Sequence, residues 1–139
     1  MLLSTVITLN PTEAITLSTD QGRAVQAWFL AQVARHDAAL AQAVHDAAEV
    51  KPFTCSSLRG FKPTHNGHGR QLTPGEPGWI RITTLSPELS ALMQERLLPE
   101  LPQGLPLGET TLDIAEGTTD PARHPWAGVT THTALLQEH

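Results

Sequence analysis

His45 and Lys51 stand six residues apart in AVHDAAEVKPFT. An imidazole can take or give a proton near neutral pH, which suits general acid–base work. A nearby ammonium could stabilise the charge that develops on a phosphorane or an oxyanion. The same two residues admit a plain reading. A histidine in the last turn of a helix is favoured by the macrodipole, and a lysine at the start of a strand can be simply solvated. His36-Asp37 and His45-Asp46 repeat one dipeptide and raise the question of a metal site. At about 100° per residue, that separation puts the two histidines on opposite faces of a single helix. The spacing gives a metal no support, and no metal or cofactor is expected.

A second group of cations lies in the segment 60–78, GFKPTHNGHGRQLTPGEPG. Lys62, His65, His68 and Arg70 on a Gly-rich loop could grip RNA phosphates. The alternative is an ordinary solvated loop. His65 and His68 could also meet His124 at a metal, but nothing in the spacing supports that. Trp79 and Arg81 share one face of the strand-like run WIRITTL. If exposed, they could stack bases as sheet aromatics do in RNA-recognition modules. The competing reading makes Trp79 a core residue and Arg81 a snorkelling one. Trp28 and Phe29 read as helix core, and Cys55 as a small buried hydrophobe rather than a nucleophile. The sequence has no Walker loop, no G-x-S-x-G and no H-E-x-x-H.

The elements that must hold these residues follow from periodicity. Residues 2–9, LLSTVITL, are rich in β-branched types and partly alternate, which indicates a strand closed by Pro11. Residues 12–19 read as a polar connection carrying Ile15 and Leu17. A helix is expected over 21–34, with Asp20 as N-cap and Val25, Trp28, Phe29, Gln32 and Val33 on one face. A second helix, 38–48, has Asp37 as its cap and Leu40, Ala43, Val44 and Ala47 as its stripe. Pro52 ends the helical region, and 52–58 reads as a strand closed by Gly60. The segment 60–78 shows no periodicity and reads as a long flexible loop. Residues 79–85 form the clearest strand, with Ile80, Ile82 and Thr84 facing away from Trp79, Arg81 and Thr83. Ser86 then caps a helix over 87–98, with Pro87 at its first position and Leu89, Leu92, Met93 and Leu97 at helical spacing. Residues 105–116 suggest a last strand. The tail is turn-rich, and TALLQEH reads as the start of a short helix. The order βαββαβ indicates an α+β, ferredoxin-like (RRM-like) domain with an antiparallel sheet and helices on one face. That fold hosts many unrelated functions.

The bulk numbers bound these readings. The chain's 139 residues suit one domain, 1–139, and 40% hydrophobic residues suit one modest core. Nine Lys and Arg against 14 Asp and Glu give a net charge of −5, and only Lys51 and Lys62 are lysines. Such a chain is a poor nonspecific nucleic-acid binder by itself. One cysteine excludes a disulfide framework and suits a cytoplasmic location. The start, MLLSTVITLNP, has no cationic n-region and reads as a strand rather than a signal peptide. No apolar run approaches the ~20 residues of a membrane span.

The stretch 41–56, AQAVHDAAEVKPFTCS, resembles the CRISPR-associated protein six (Cas six) family of the RAMP superfamily. Those proteins have a helix ending in a leucine- or valine-histidine pair, here Val44-His45. A short connection leads to a Pro-Phe-Thr strand, here Pro52-Phe53-Thr54, with Lys51 just before it. SSLRG, Ser56 to Gly60, is also typical. WIRITTLSPELSALM is similar to the family's third strand and following helix, and Trp28-Phe29-Leu30 sits in its first helix. The likeness covers roughly residues 1–135. It implies a metal-independent endoribonuclease that cuts precursor CRISPR RNA within its repeats. A ribose 2′-hydroxyl attacks the adjacent phosphate, leaving a 2′,3′-cyclic phosphate. His45 would then be the general acid or base, and Lys51 would stabilise the phosphorane.

Three departures accompany the resemblance. Some members use a tyrosine of the first helix as a third catalytic group; this chain has none, and Leu30 stands at that position. The family's second ferredoxin-like domain and its basic character are both lacking. The chain is therefore expected to be the N-terminal half of a two-domain enzyme, a fragment or one piece of a split protein. Alone it should bind repeat RNA weakly. Two other readings stay open. One is a noncatalytic crRNA-binding subunit docked to other subunits of a CRISPR effector complex. The other is an unrelated ferredoxin-like module that binds a small ligand or forms a homodimer.

Overall fold

The computed structural model describes residues 2–18, 21–46, 52–56, 58–64, 69–107 and 110–130. Strand β1, Leu2–Asn10, is the central strand of the main sheet. Its odd-numbered residues Leu3, Ile7 and Leu9 are fully buried, as the pleat of a half-covered strand requires. A short strand β2, Ile15–Ser18, follows. Helix α1, Gly22–His36, buries Val25, Trp28, Phe29 and Val33. Asp20, the N-cap expected from sequence, lies outside the described residues, and Gln21 precedes the helix without a side-chain cap. Asp37 ends α1 and begins α2, Ala38–Asp46, where its carboxylate accepts from the Leu40 backbone N–H at 3.0 Å.

Helix α2 buries only Val44. Its expected stripe is broader than the one observed: Leu40 is half-buried and Ala43 exposed, because α2 leans on α1 at the rim instead of lying on the sheet. Ala47 lies outside the described residues.

Strand β3, Phe53–Cys55, is an edge strand. Phe53 meets Phe29 with ring centroids 5.0 Å apart, which ties α1 to the sheet. Short strands β4, Lys62–Pro63, and β5, Gly69–Leu72, then join β2 in a three-stranded sheet ordered β2-β5-β4. The segment 60–78 is thus not a plain loop. Ile15 and Leu17, two apart on β2, pack with Leu72 against the core, which makes this "connection" a strand pair.

Strand β6, Gly78–Thr84, pairs with β1 along its whole length. Ile80, Ile82 and Thr84 are buried, while Trp79, Arg81 and Thr83 face the other way, as the alternation requires. Helix α3, Pro87–Leu92, begins at Ser86, whose hydroxyl accepts from the Leu89 N–H at 3.2 Å. A π turn, Met93–Leu97, and a 3₁₀ turn, Leu98–Glu100, carry it to its end. Leu89, Met93 and Leu97 are buried in the common core.

The expected last strand is a hairpin: β7, Gly104–Leu107, pairs with β8, Thr110–Thr118. A further strand β9, Gly128–Thr130, pairs with the start of β1. The TALLQEH segment lies outside the described residues. The main sheet runs β3-β6-β1-β8-β7, with neighbours antiparallel. Removing the hairpin edge leaves the four βαββαβ strands with β1 and β6 in the middle. This is the ferredoxin-like arrangement, with all three helices on the Ile80 face. Among the described residues, no helix is long and apolar enough to cross a membrane.

Candidate functional site

His45 lies in the last turn of α2, its side chain 73% exposed. Its Nδ1 is 3.5 Å from Asp46 Oδ1. The Gln42 side-chain amide donates to both Asp46 oxygens at 3.0 Å, one helical turn back. Gln42 thus fixes the carboxylate that stands beside the imidazole.

The burial of one α1 face creates the opposite wall. With Val25, Trp28 and Phe29 turned into the core, Arg23, Gln26, Ala27 and Leu30 fall at i, i+3, i+4 and i+7 on another stripe. Those four residues and His45 line an open depression of about 440 Å³. Leu30 and His45 also border a second depression, toward Ala34, Ala38 and Ala41. The alanines leave this seam shallow, so a large polar ligand could reach the imidazole from solvent. Arg23 is a cation of this groove that residue spacing around His45 did not point to. Its signal is helical phase: it shares a stripe with Leu30, not with the core residues.

Lys51, the expected partner of His45, lies outside the described residues, as do His65 and His68. His36 does not join His45. Its Nδ1 is 3.5 Å from Glu100 at the far end of α1. Among the described residues no group of three or more His, Cys, Asp or Glu side chains converges.

The remaining expected cations fall in two other places. Lys62 is on β4 with its Nζ 3.6 Å from Glu76 Oε1, and Arg70 on β5 donates through Nη1 to the Gly69 carbonyl at 3.1 Å. These two share the small sheet, where Pro63 pairs with Arg70. Arg81 is on β6, on the face turned away from the helices. Trp79 is beside it there, half-buried and outside the core cluster. The core reading of Trp79 therefore fails: its neighbours Ile80 and Ile82 take the helix-covered face, and the pleat leaves Trp79 on the other. Cys55 is half-buried, and burial pushes its thiol up to about 12, which makes it a poor nucleophile.

Over residues 1–137 the sequence matches the CRISPR Cas6 N-terminal domain family. The chain belongs to that family.

Solved Cas6 structures carry the same fold. The chain is similar to the Cas6 (TTHB231) product complex, with 30% sequence identity and a TM-score of 0.67 over 94% of this chain and 45% of that one. It is similar in fold to the Cas6 (TTHA0078) product complex, with 23% identity and a TM-score of 0.63 over 99% and 47%. Thermus thermophilus Cas6 (TTHB231) gives 23% identity and a TM-score of 0.56 over 99% and 43%. The chain spans less than half the length of each of these solved chains. No curated protein matches it.

Within this Cas6 N-terminal domain, the helix seam with His45 and the open sheet face with Arg81 lie on opposite sides of the sheet.

Proposed function

We propose that this chain is the histidine-bearing half of a metal-independent endoribonuclease. It would process CRISPR precursor RNA within its repeats, in the cytoplasm, together with a second domain. The observation that carries the reading is the position of His45, solvent-facing at the end of α2 and sharing a groove with Arg23 and Gln26 of α1.

The chemistry needs little more than proton transfer and charge stabilisation. The ribose 2′-hydroxyl loses its proton and attacks the adjacent phosphorus. The bond to the 5′-oxygen breaks, and that oxygen gains a proton. A 2′,3′-cyclic phosphate and a 5′-hydroxyl result. The substrate carries its own nucleophile, so no metal-activated water is required. His45 serves as the acid or the base of this exchange, with Asp46 orienting its ring. Arg23 offers a guanidinium to the phosphate oxygens, and Lys51 is assigned to the developing phosphorane charge on sequence grounds. Lys62, His65, His68, Arg70 and Arg81 would hold flanking RNA through its phosphates.

The test is cleavage of repeat RNA in EDTA by this chain joined to a Cas6 C-terminal half. A single cut within the repeat that ends in a cyclic phosphate supports the reading. A cut that leaves a 3′-hydroxyl contradicts it. Binding without cutting would point instead to a crRNA-holding subunit.

A further inference from the structure

The core fixes the backbone of His45 but not its ring. Val44, one residue earlier, is 3% exposed and belongs to the common core, which anchors the last turn of α2. The imidazole itself faces solvent, so core packing leaves its rotation open. A proton-transferring ring must present one chosen nitrogen. The hydrogen bond made by the other nitrogen sets which one that is. Asp46 Oδ1 stands 3.5 Å from His45 Nδ1. That separation is longer than a formed hydrogen bond, as is common in active sites before a substrate tightens them.

Asp46 is not where helix stability would put a carboxylate. It is the last residue of α2, at the end whose macrodipole disfavours negative charge. Its orientation is nonetheless held. The Gln42 amide, four residues back, donates to Oδ1 and to Oδ2, both at 3.0 Å. A carboxylate offers about four acceptor sites, two on each oxygen. Both oxygens can therefore hold the amide while Oδ1 still accepts from the imidazole. A neutral amide does this without cancelling the carboxylate's charge, which a lysine at position 42 would do.

We infer, on the reading that His45 moves a proton in RNA cleavage, that Asp46 and Gln42 are positioning residues that keep the proton of the neutral ring on Nδ1 and turn Nε2 to the substrate. Gln42 holds the carboxylate, and the carboxylate holds Nδ1–H. Nε2 is then the reacting nitrogen in either role. As base, its lone pair takes the proton of the attacking 2′-hydroxyl. As acid, the imidazolium gives its Nε2 proton to the departing 5′-oxygen. In both cases Nδ1 keeps its proton and faces Asp46 throughout.

The first arm of the test needs no cleavage. It reads the imidazole nitrogen-15 shifts of the 139-residue chain at about pH 8, where a free imidazole is neutral. The chain has seven histidines, and H45A identifies the signals of His45. The parent is expected to carry the His45 proton on Nδ1, and D46A and Q42A are expected to move it toward Nε2. The second arm is single-turnover cleavage of repeat RNA by the chain joined to a Cas6 C-terminal half. D46A and D46N should each slow cleavage at least about tenfold, and Q42A by a smaller factor, with RNA affinity within about twofold of the parent. Melting temperatures should hold or rise, since D46N and D46A remove a misplaced charge and Q42A adds a good helix former on an exposed site. A parent ring protonated on Nε2, or a tautomer that D46A leaves unmoved, overturns the inference. So does D46N cleaving at the parental rate. If the tautomer fails to respond while H45A loses cleavage, positioning falls and the nuclease reading stands. If the tautomer responds while H45A cuts at the parental rate, the nuclease reading falls and the ring's pairing with Asp46 stands.

Discussion

Leu30 of α1 and His45 of α2 border the same two depressions along the helix seam. The position that the family resemblance pairs with a catalytic tyrosine therefore does face the histidine in space, although leucine fills it here. A phenol at Leu30 would bring a second proton-transferring group beside the imidazole. L30Y is expected to raise the rate of repeat-RNA cleavage by the joined protein at least about tenfold, within what acid–base groups contribute. Leu30 is only half-buried, so the substitution should leave the melting temperature nearly unchanged. An unaltered cleavage rate in a folded L30Y protein would count against a reacting phosphate between these helices.

Arg23 lines that groove but packs into no core. If its guanidinium meets the RNA backbone, R23Q should weaken repeat-RNA binding uniformly across sequences. It should also lower the salt slope by about 0.7 to 0.9, one phosphate contact. Affinity measured at four salt concentrations checks this. An unchanged slope would place Arg23 outside the interface.

Cys55 offers a pH dependence with a definite sign. Burial raises its thiol from 9.0 to about 12 in the folded chain. Below pH 9 both states keep the proton, and the stabilisation is fully present. Between pH 9 and 12 the unfolded chain releases its proton while the folded chain retains it, so stability falls across that window. Urea denaturation of parent and C55A at several alkaline pH values isolates the effect. The parent should lose stability more steeply than C55A, and parallel curves would contradict the assignment.

Gly78 sits where the backbone enters β6 under Phe61. A Cβ there would lie 2.3 Å from the Phe61 ring and 2.5 Å from the Arg59 carbonyl oxygen. G78A should therefore expel Phe61, which is only 7% exposed, and cost about 1–3 kcal/mol in urea denaturation. It should also disturb the Trp79 indole resonance, since Trp79 is the next residue. A change below about 0.5 kcal/mol would mean the 59–61 turn is not packed as described.

Local pattern carried the fold's frame. Alternation in WIRITTL, the i/i+3/i+4 apolar spacing in α1 and the Ser86-Pro87 start of α3 each announce an element whose stability comes from that same periodicity. The small sheet was hidden because its strands are two to four residues long, too short for alternation to register. The β7–β8 hairpin was read as one strand for a related reason: each arm alternates buried and exposed positions over only a few residues. His45 was visible from its residue type and neighbours. Arg23 was not, because its link to His45 runs through the packing of two helices. The contact between Trp126 and Arg81 was not legible either, since only the return of β9 to β1 carries the 119–127 excursion over Arg81.

The central claim is that His45 moves the proton in RNA cleavage. The most direct measurement is single-turnover cleavage of repeat RNA in EDTA by the joined protein and its H45A variant, with RNA affinity measured alongside. H45A is expected to bind within about twofold of the parent while cutting roughly 10²–10⁴-fold more slowly. Cleavage by H45A at the parental rate would contradict it.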